Sequence, residues 1–313
     1  MIDVSPKFKT LRYAKAEGFI TTEQKIVERV RNKMIPKGDV LEISRAAGIS
    51  AAKKTSEIII FCHPVPVDWI SISYEIFESK IKVIAEVKAV WKTGVEMEAL
   101  TAVYGSLLNI YDMLKQLTNN LIIGDIKVVE KKGGKSDFRD KVTTDIKAAV
   151  LVISDSTYNK EREDKSGKII KEFLTYNSVL VEIFEVIPDD KEKIKHRLLD
   201  LSDKDKIDLI ITTGGTGLGP KDLTPDATAE VIDKEIPGIA EAIRKYGKDM
   251  TPYAMLSREL SGIRNQSLII NLPGSTKGVK ESLQVLFPGL LHAYSMMQGG
   301  GHNDSQKSVI KGE

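Results

Sequence analysis

The sequence predicts two domains of different fold class, an α+β domain followed by an α/β domain with a doubly wound sheet. The chain has 313 residues, about twice the ~150 residues of a typical domain. Its first half groups strand-like patterns apart from helical ones, whereas its second half alternates short apolar strands with helical stretches. A polar, strongly charged stretch at 135–147 separates the two halves, so we expect the domain boundary there.

Apolar spacing predicts the elements of the first half. We predict helices over 22–33, 38–60 and 95–117, and strands over 69–74, 80–89 and 121–129. Thr22 is a plausible N-cap of the first helix. Strands that are segregated from helices in this way favour an antiparallel sheet with helices on one face.

The second half is predicted to contain parallel strands joined by crossover helices. We predict strands over 148–153, 180–186, 207–212 and 267–271. In such sheets ligands bind beyond the carboxyl ends of the strands. The sequence TGGTG follows the third of these strands and PGS follows the fourth, which indicates a binding site at that edge.

Composition excludes several classes of protein. Lys and Arg number 46 against 44 Asp and Glu, and no basic run is interleaved with aromatic residues, so nucleic acid is not an expected partner. The only cysteine, Cys62, rules out a disulfide scaffold, and metal-ligand spacing is absent, which argues against zinc. No apolar tract approaches the ~20 residues that cross a bilayer, and the first residues lack an apolar signal-peptide core. We therefore expect a cytoplasmic protein with no membrane partner.

Two polar residues of the first half stand among apolar neighbours. Lys53, with Lys54, follows a run of small apolar residues and is either held at a protein interface or is a solvated helix lysine. His63 is either a general acid/base or phosphate donor, or a histidine of the core. The GGKS turn at 133–136 is not a P-loop, because that motif needs glycine where Val129 stands.

Carboxylates on the predicted helix 95–117 do not fit one compact site. Glu96 and Glu98 face about 200° apart and cannot share a proton as a dyad. Glu98 and Asp112 lie roughly on one face but about 21 Å apart along the axis. These two therefore serve opposite ends of a long ligand, or sites are built across subunits. Asp112 and Lys115 are also compatible with a plain surface ion pair.

Several short motifs of the first half occur in the order typical of one enzyme family. They are MIDVSPK, PKGDV, AGISAAKKTSE, CHP, KTGVEMEALT, IYDM-x-K and KKGGKS. Over about residues 1–137 the chain resembles cyclic pyranopterin monophosphate synthase of the MoaC type. The resemblance implies a ferredoxin-like fold and a hexamer with sites between subunits. It also implies conversion of 3′,8-cyclo-7,8-dihydroguanosine triphosphate to cyclic pyranopterin monophosphate with release of pyrophosphate.

The same resemblance implies which residues act. It assigns catalytic roles to Lys53, His63, Glu98, Asp112, Lys115 and Lys131, and substrate binding to Lys37, Glu96 and Lys135. Convergent lysines suit a triphosphate with about four negative charges, because cations stabilise the charge that develops when a phosphorus–oxygen bond breaks. The chain departs from the family pattern at Val65, Leu114 and Lys132. None of these departures removes a charged site residue.

Candidate residues of the second half follow the ends of predicted strands. The glycine-rich segment 212–222 lets backbone N–H groups approach phosphate. Asp222 at its end is either a magnesium ligand or a cap of the helix that begins near Pro225. Asp189, in the sequence IPDD, is likewise a candidate helix cap. Ser275 closes PGS, which opens a predicted helix and forms a natural anion site.

These segments resemble the molybdopterin-binding family over about residues 147–298. The motifs are ISDS, D-x-SG, IPDD, TTGGTGLGPKDLTPDA, PG, LSRE and LPGS. The resemblance implies a trimerising α/β fold and, in active members, adenylylation of molybdopterin with Mg-ATP. It implies catalytic aspartates Asp189 and Asp222 and a ligand site lined by Gly214, Gly215, Thr216, Gly217 and Ser275. Thr276 departs from the pattern, since proline often follows PGS.

We therefore predict a fused, bifunctional enzyme of molybdenum cofactor synthesis. Its parts are a synthase domain (1–137), a linker (138–146), an adenylyltransferase domain (147–298) and a flexible tail (299–313). The expected ligands are the cyclic guanosine-derived triphosphate, molybdopterin, and ATP with Mg²⁺, and no tightly bound cofactor is expected. A homo-hexamer is expected, because hexameric first halves and trimeric second halves can share a three-fold axis. The alternative is a second half that binds pterin or oligomerises without turnover.

Overall fold

The computed structural model describes residues 1–134, 137, 146–287 and 289–297. The chain divides into two compact units, Met1–Phe138 and Arg139–Glu313. Lys135, residues 138–145 of the predicted linker and the predicted tail 299–313 lie outside the described residues. Among the described residues, no helix is both long and apolar enough to cross a bilayer.

The first unit is a four-stranded antiparallel sheet packed with helices around one apolar core. Its strands are β1 (Thr10–Thr21), β2 (Trp69–Ile76), β3 (Lys80–Trp91) and β4 (Ile122–Lys132). Its helices are α1 (Gln24–Arg31), α2 (Val40–Lys53), α3 (Thr55–Ile58) and α4 (Glu96–Leu114). The strand order is β2-β3-β1-β4, the β-α-β-β-α-β arrangement of ferredoxin-like folds. The predicted α+β class with an antiparallel sheet is confirmed.

Strand β1 is absent from the predicted elements, although it lies inside the sheet between β3 and β4. Its buried face carries the small residues Ala14, Ala16 and Gly18. A Cβ atom on Gly18 would lie 2.9 Å from the side chains of Val103 and Leu107, so α4 packs directly against the strand backbone. This close approach selects small residues and so removes the alternation of large apolar side chains that marks a strand.

The N-cap predicted for α1 is wrong, and the cap of α2 was not predicted. Thr22 is not the N-cap of α1, because its backbone N–H bonds to the carbonyl oxygen of Ser79 and the helix begins after Glu23. Asp39 caps α2 instead, and its carboxylate accepts from the backbone N–H groups of Leu41 and Glu42. A side-chain acceptor in that position satisfies helix donors that have no intrahelical partner.

The second unit is a six-stranded α/β sheet. Its strands are β5 (Lys147–Ile153), β6 (Leu180–Ile187), β7 (Leu209–Thr213), β8 (Lys234–Glu235), β9 (Ser261–Arg264) and β10 (Ser267–Leu272). Its α-helices are α5 (Asp155–Tyr158), α6 (Ser166–Tyr176), α7 (Lys191–Leu199), α8 (Thr224–Ala229), α9 (Pro237–Met250), α10 (Thr276–Leu286) and α11 (His292–Met297). A π-helical turn (Asp200–Lys204) and two 3₁₀ turns (Pro252–Leu256 and Gly289–Leu291) complete it.

The strand order is β6-β5-β7-β10-β9-β8, with the first four strands parallel. Alternate residues of the central strands enter two different apolar clusters, so helices cover both faces of the sheet. The predicted doubly wound α/β class is confirmed. The short strand β9 and the edge strand β8 were not predicted, and β9 runs antiparallel to both of its neighbours, β10 and β8.

Candidate active sites

Lys37, Asp112 and Lys115 meet at the C-terminal end of α4. The Lys115 ammonium lies 2.7 Å from Oδ1 of Asp112, and the Lys37 ammonium lies 2.8 Å from Oδ2. Lys115 and Lys37 lower the pKa of Asp112 to about 2, so the carboxylate is ionised at neutral pH. The three side chains are at least partly exposed, which leaves the two cations open to a phosphate-bearing ligand.

The backbone before α2 brings Lys37 to this position. Gly38 has a φ of +107°, a conformation that glycine adopts without steric cost. Asp39 follows as the N-cap of α2, which fixes the direction in which the chain enters the helix. The PKGD sequence therefore forms a rigid turn that presents Lys37 to Asp112.

Glu98 is buried in the first turn of α4, with 2% of the residue exposed. Burial raises the pKa of its carboxyl, and the nearby charge of Glu96 adds to the increase. The thiol of Cys62 lies 3.9 Å from Oε1, while Oε2 has no hydrogen-bond partner among the described residues. A carboxyl in such surroundings is suited to hold and release a proton.

We expect Glu98→Gln to raise the free energy of unfolding at about pH 8 and to leave it unchanged at about pH 4. Folding raises the pKa of this carboxyl, so stability falls as the pH rises through the folded-state pKa. Glutamine cannot ionise and escapes this cost. Urea unfolding at the two pH values checks the result, with Glu78→Gln, at an exposed position, as the control. Equal stabilities at about pH 8 would contradict it.

Glu96 and Lys131 line a cavity of about 450 Å³ in the first unit. The Lys131 ammonium lies 3.5 Å from Oε1 of Glu96. Gly133 and Gly134, which follow β4, have φ values of +99° and +100°. A Cβ atom at either position would collide with β1 or with the Arg12 side chain, so only glycine permits this turn beside the cavity.

Arg12 lines the same cavity, but it was not among the site residues predicted from the sequence. Its Nε and Nη2 donate to the carbonyl oxygens of Trp91 and Lys92 at 3.2 and 3.1 Å. Lys7, Lys92 and Lys132 also line the cavity, so with Arg12 and Lys131 its lining contains five cationic side chains. Arg12 could have been found only from its position in β1 opposite β3. Because the sequence pattern did not reveal β1, it did not reveal Arg12 either.

Lys53 and His63 complete the residues predicted for the first unit. Lys53 is the last residue of α2 and its side chain is exposed, while His63 is half-buried after α3. His63 directly follows Cys62, whose thiol lies 3.9 Å from Oε1 of Glu98, so His63 is near the start of α4. Within one chain, Glu96, Glu98 and Lys131 thus lie at the start of α4, and Lys37, Asp112 and Lys115 lie at its end, as the spacing along the helix predicts.

In the second unit, Asp155 and Asp189 exchange hydrogen bonds at the ends of β5 and β6. Oδ2 of Asp189 accepts from the N–H of Asp155 at 2.8 Å, and Oδ1 of Asp155 accepts from the N–H of Asp189 at 3.1 Å. The Lys221 ammonium lies 2.6 Å from Asp155. Burial raises the pKa of Asp189, and the negative charges of Asp155 and Asp222 add to the increase. The site therefore gathers three carboxylates beside one lysine.

Neither Asp189 nor Asp222 caps a helix, so the capping alternative for both is wrong. Asp190 is the N-cap of α7, and Leu223 stands at the N-cap of α8 without a side-chain bond. Asp222 instead accepts from the backbone N–H of Gly219 at 2.7 Å, inside the glycine-rich loop. The charge of Asp222 is near enough to Asp189 to raise the pKa of that carboxyl.

The glycine-rich loop depends on positive backbone angles. Gly214 and Gly215 have φ values of +103° and +63°. The hydroxyl of Thr224 donates to the carbonyl oxygen of Gly214 at 2.9 Å, and the backbone N–H of Thr224 donates to that of Gly215 at 3.1 Å. The first turn of α8 therefore holds the loop in shape.

Arg258 contacts the glycine-rich loop at several points. It stands in the LSRE motif but was not among the predicted site residues. Its backbone N–H donates to Thr216 at 2.9 Å and its Nε donates to the carbonyl oxygen of Gly217 at 3.0 Å. Its Nη2 also donates to the carbonyl oxygen of Asp222. Three contacts to one loop make Arg258 a positioning residue for Asp222.

Ser275 lies beside this loop and caps α10. Its hydroxyl accepts from the N–H of Gly278 at 3.1 Å. With Gly214 and Ser166 it lines a cavity of about 360 Å³ at the carboxyl ends of the strands. The N-terminus of α10 faces the same region, and such helix ends attract anions.

The carboxylates fit a magnesium site of the kind that is completed by substrate. Among the described residues there is no group of three or more His, Cys, Asp or Glu side chains arranged to hold a metal. Mg²⁺ at nucleotide sites is usually held by one or two carboxylates plus phosphates and water. Burial raises the pKa of Asp189 and the charges of Asp155 and Asp222 add to the increase, so a bound cation would favour its ionised form.

Two family profiles match the chain in tandem. The MoaC family matches residues 1–134, and a family described as a probable molybdopterin binding domain matches residues 149–292. Both matches contain the residue groups described above.

Individual relatives cover the whole chain or one unit. A molybdenum cofactor biosynthesis bifunctional protein of Chlorobaculum tepidum is 39% identical over 96% of this chain and 96% of its own length. A cyclic pyranopterin monophosphate synthase of Heliobacterium modesticaldum is 46% identical over 44% of this chain and 87% of its own. A molybdopterin adenylyltransferase of Helicobacter pylori is 37% identical over 52% of this chain and 94% of its own.

Proposed function

Because the chain belongs to the family of bifunctional molybdenum cofactor biosynthesis proteins, we propose that it performs two reactions, one in each unit. Residues 1–137 form a cyclic pyranopterin monophosphate synthase. Residues 147–298 form a molybdopterin adenylyltransferase. The observation that carries the proposal is similarity to a bifunctional relative along nearly the full length of both chains. The two reactions are not consecutive, because sulfur is added to the pterin between them, so direct transfer between sites is not implied.

In the first reaction, the chain's cations bind the triphosphate of 3′,8-cyclo-7,8-dihydroguanosine triphosphate. Lys131 and Arg12, beside the glycine turn, neutralise charge on the departing pyrophosphate. Lys37 and Lys115, held by Asp112 at the other end of α4, come to this site from a second subunit of the assembly proposed below, and they bind or transfer protons at the rearranging ring. Glu98, whose pKa is raised by burial, serves as the buried acid/base.

In the second reaction, the unit binds ATP and molybdopterin at the glycine-rich loop. The backbone N–H groups of Gly214 to Gly217 and the N-terminus of α10 at Ser275 bind phosphate oxygens. Asp189 and Asp222 would hold Mg²⁺, which when bound neutralises phosphate charge. Arg258 and Thr224 keep the loop and Asp222 in place before the ligand arrives.

The decisive experiment supplies molybdopterin and Mg-ATP to the full chain and measures adenylylated molybdopterin. Product formation at a rate proportional to enzyme is the expected result. Absence of product, with pyranopterin synthesis intact, would favour the alternative in which the second unit binds pterin without turnover.

We also propose that the chain assembles as a homo-hexamer. Met97, Tyr104, Leu108 and Tyr111 are each at least 38% exposed and form a narrow apolar stripe along α4, because their spacing places them within about 60° of one another. A stripe of this kind suits contact with a second copy. Multi-angle light scattering should give six times the chain mass of 34.7 kDa. A monomer at micromolar concentration would contradict the proposal, and Tyr104→Lys should shift the assembly toward smaller species.

A further inference from the structure

A second cavity of the second unit lies between α9, α10 and the 3₁₀ turn Pro252–Leu256. The function proposed above assigns no ligand to it. Its volume is about 220 Å³. Ser275, which lines the cavity beside the glycine-rich loop, also lines this one. The two cavities are therefore neighbours on either side of the start of α10.

Glu259 lines this cavity and is only 6% exposed. Its Oε2 has no hydrogen bond of normal geometry among the described residues, and the buried hydroxyl of Ser257, in the same lining, lies close enough to lower the pKa of the carboxyl. Arg244 donates to the backbone carbonyl of Glu259 at 3.1 Å but lies 3.9 Å from Oε2. Burial raises the pKa of the Glu259 carboxyl against smaller lowering effects of Ser257 and Arg244.

A buried carboxylate oxygen without a donor is costly and uncommon in folded proteins. Here the cost falls on a carboxyl group that lines a cavity, beside the hydroxyl of Ser257. The cavity is smaller than the ~300–1000 Å³ of sites for drug-sized ligands, which suits one fused ring rather than a whole nucleotide. The missing partner is thus a flat ligand that brings N–H donors.

We propose that Glu259 binds the 2-amino-4-oxopyrimidine edge of the pterin ring of molybdopterin. This edge presents two adjacent N–H donors, which match the two oxygens of a carboxylate. The assignment rests on the adenylyltransferase function proposed above, since Ser275 connects the cavity to the loop where the adenylyl group is transferred. The Ser257 hydroxyl is then available to the ring's acceptor atoms.

The test compares ligands that differ at this edge. Fluorescence titration of the full chain with pterin and with lumazine, which has oxygen in place of the 2-amino group, should show pterin binding roughly 10- to 100-fold more tightly. Glu259→Gln should remove most of this preference, whereas Glu241→Gln, an exposed residue of α9, should keep it. The melting temperature of Glu259→Gln should equal or exceed that of the wild type, because an unpaired buried carboxylate is removed.

Several outcomes would overturn the proposal. Equal affinity for pterin and lumazine, no binding of pterin at millimolar concentration, or an unchanged pterin preference in Glu259→Gln would each do so. Tighter binding of guanosine, which carries the same edge, would assign the cavity to a guanine nucleotide instead. Adenylyl transfer is measured separately. If the wild type is active and Glu259→Gln has an unchanged KM for molybdopterin, the subsite alone is rejected. If the wild type is inactive but still prefers pterin to lumazine, only the transferase function is rejected.

Discussion

Lys131→Ala should reduce formation of cyclic pyranopterin monophosphate at least ~100-fold, the size of effect typical for a group that stabilises charge in a transition state. Its ammonium lies in the 450 Å³ cavity beside the glycine turn. Lys53→Ala should have an effect of similar size, because the family resemblance assigns Lys53 to the same reaction and its exposed side chain packs into no core. Product yield from the cyclic triphosphate is the measurement.

Neither substitution should unfold the chain. The Lys131 side chain is 71% exposed and its ion pair with Glu96 is 3.5 Å long, so its loss changes stability by ~0–1 kcal/mol. Lys127→Ala on the same strand and Lys54→Ala beside Lys53 are matched controls that remove a lysine without touching the cavity. Near-normal turnover in Lys131→Ala or Lys53→Ala would show that its assignment is wrong.

The separation of the first-unit residues into two groups could be predicted because helix geometry is regular. Glu98 and Asp112 both lie on α4, so their distance follows from the rise per residue. The partners at each end could not be predicted in the same way. Lys37 reaches Asp112 from 75 residues away in sequence, and Arg12 enters through a strand whose small residues conceal it.

In the second unit, the sequence places the site because a parallel sheet brings all carboxyl ends to one edge. It could not separate the roles of Asp189 and Asp190, since adjacent aspartates before a helix both look like caps. The structure separates them because Asp190 bonds within α7, whereas Asp189 turns toward Asp155. Glu259 was hidden for a related reason: whether a buried carboxylate finds a donor depends on elements distant in sequence.

Asp222→Asn should abolish adenylylation of molybdopterin while pyranopterin formation in the first unit continues. Asparagine keeps the oxygen that accepts from the N–H of Gly219, so the loop keeps its shape, but it removes the negative charge that a magnesium ion needs. Asp190→Asn is the matched control, because the residue only caps α7 and asparagine caps almost equally well. The measurement is ATP-dependent product formation at saturating Mg²⁺, together with the pyranopterin yield of the same preparation. If Asp222→Asn retained normal adenylylation, Asp222 would have a structural role in the loop rather than the role of magnesium ligand proposed for it.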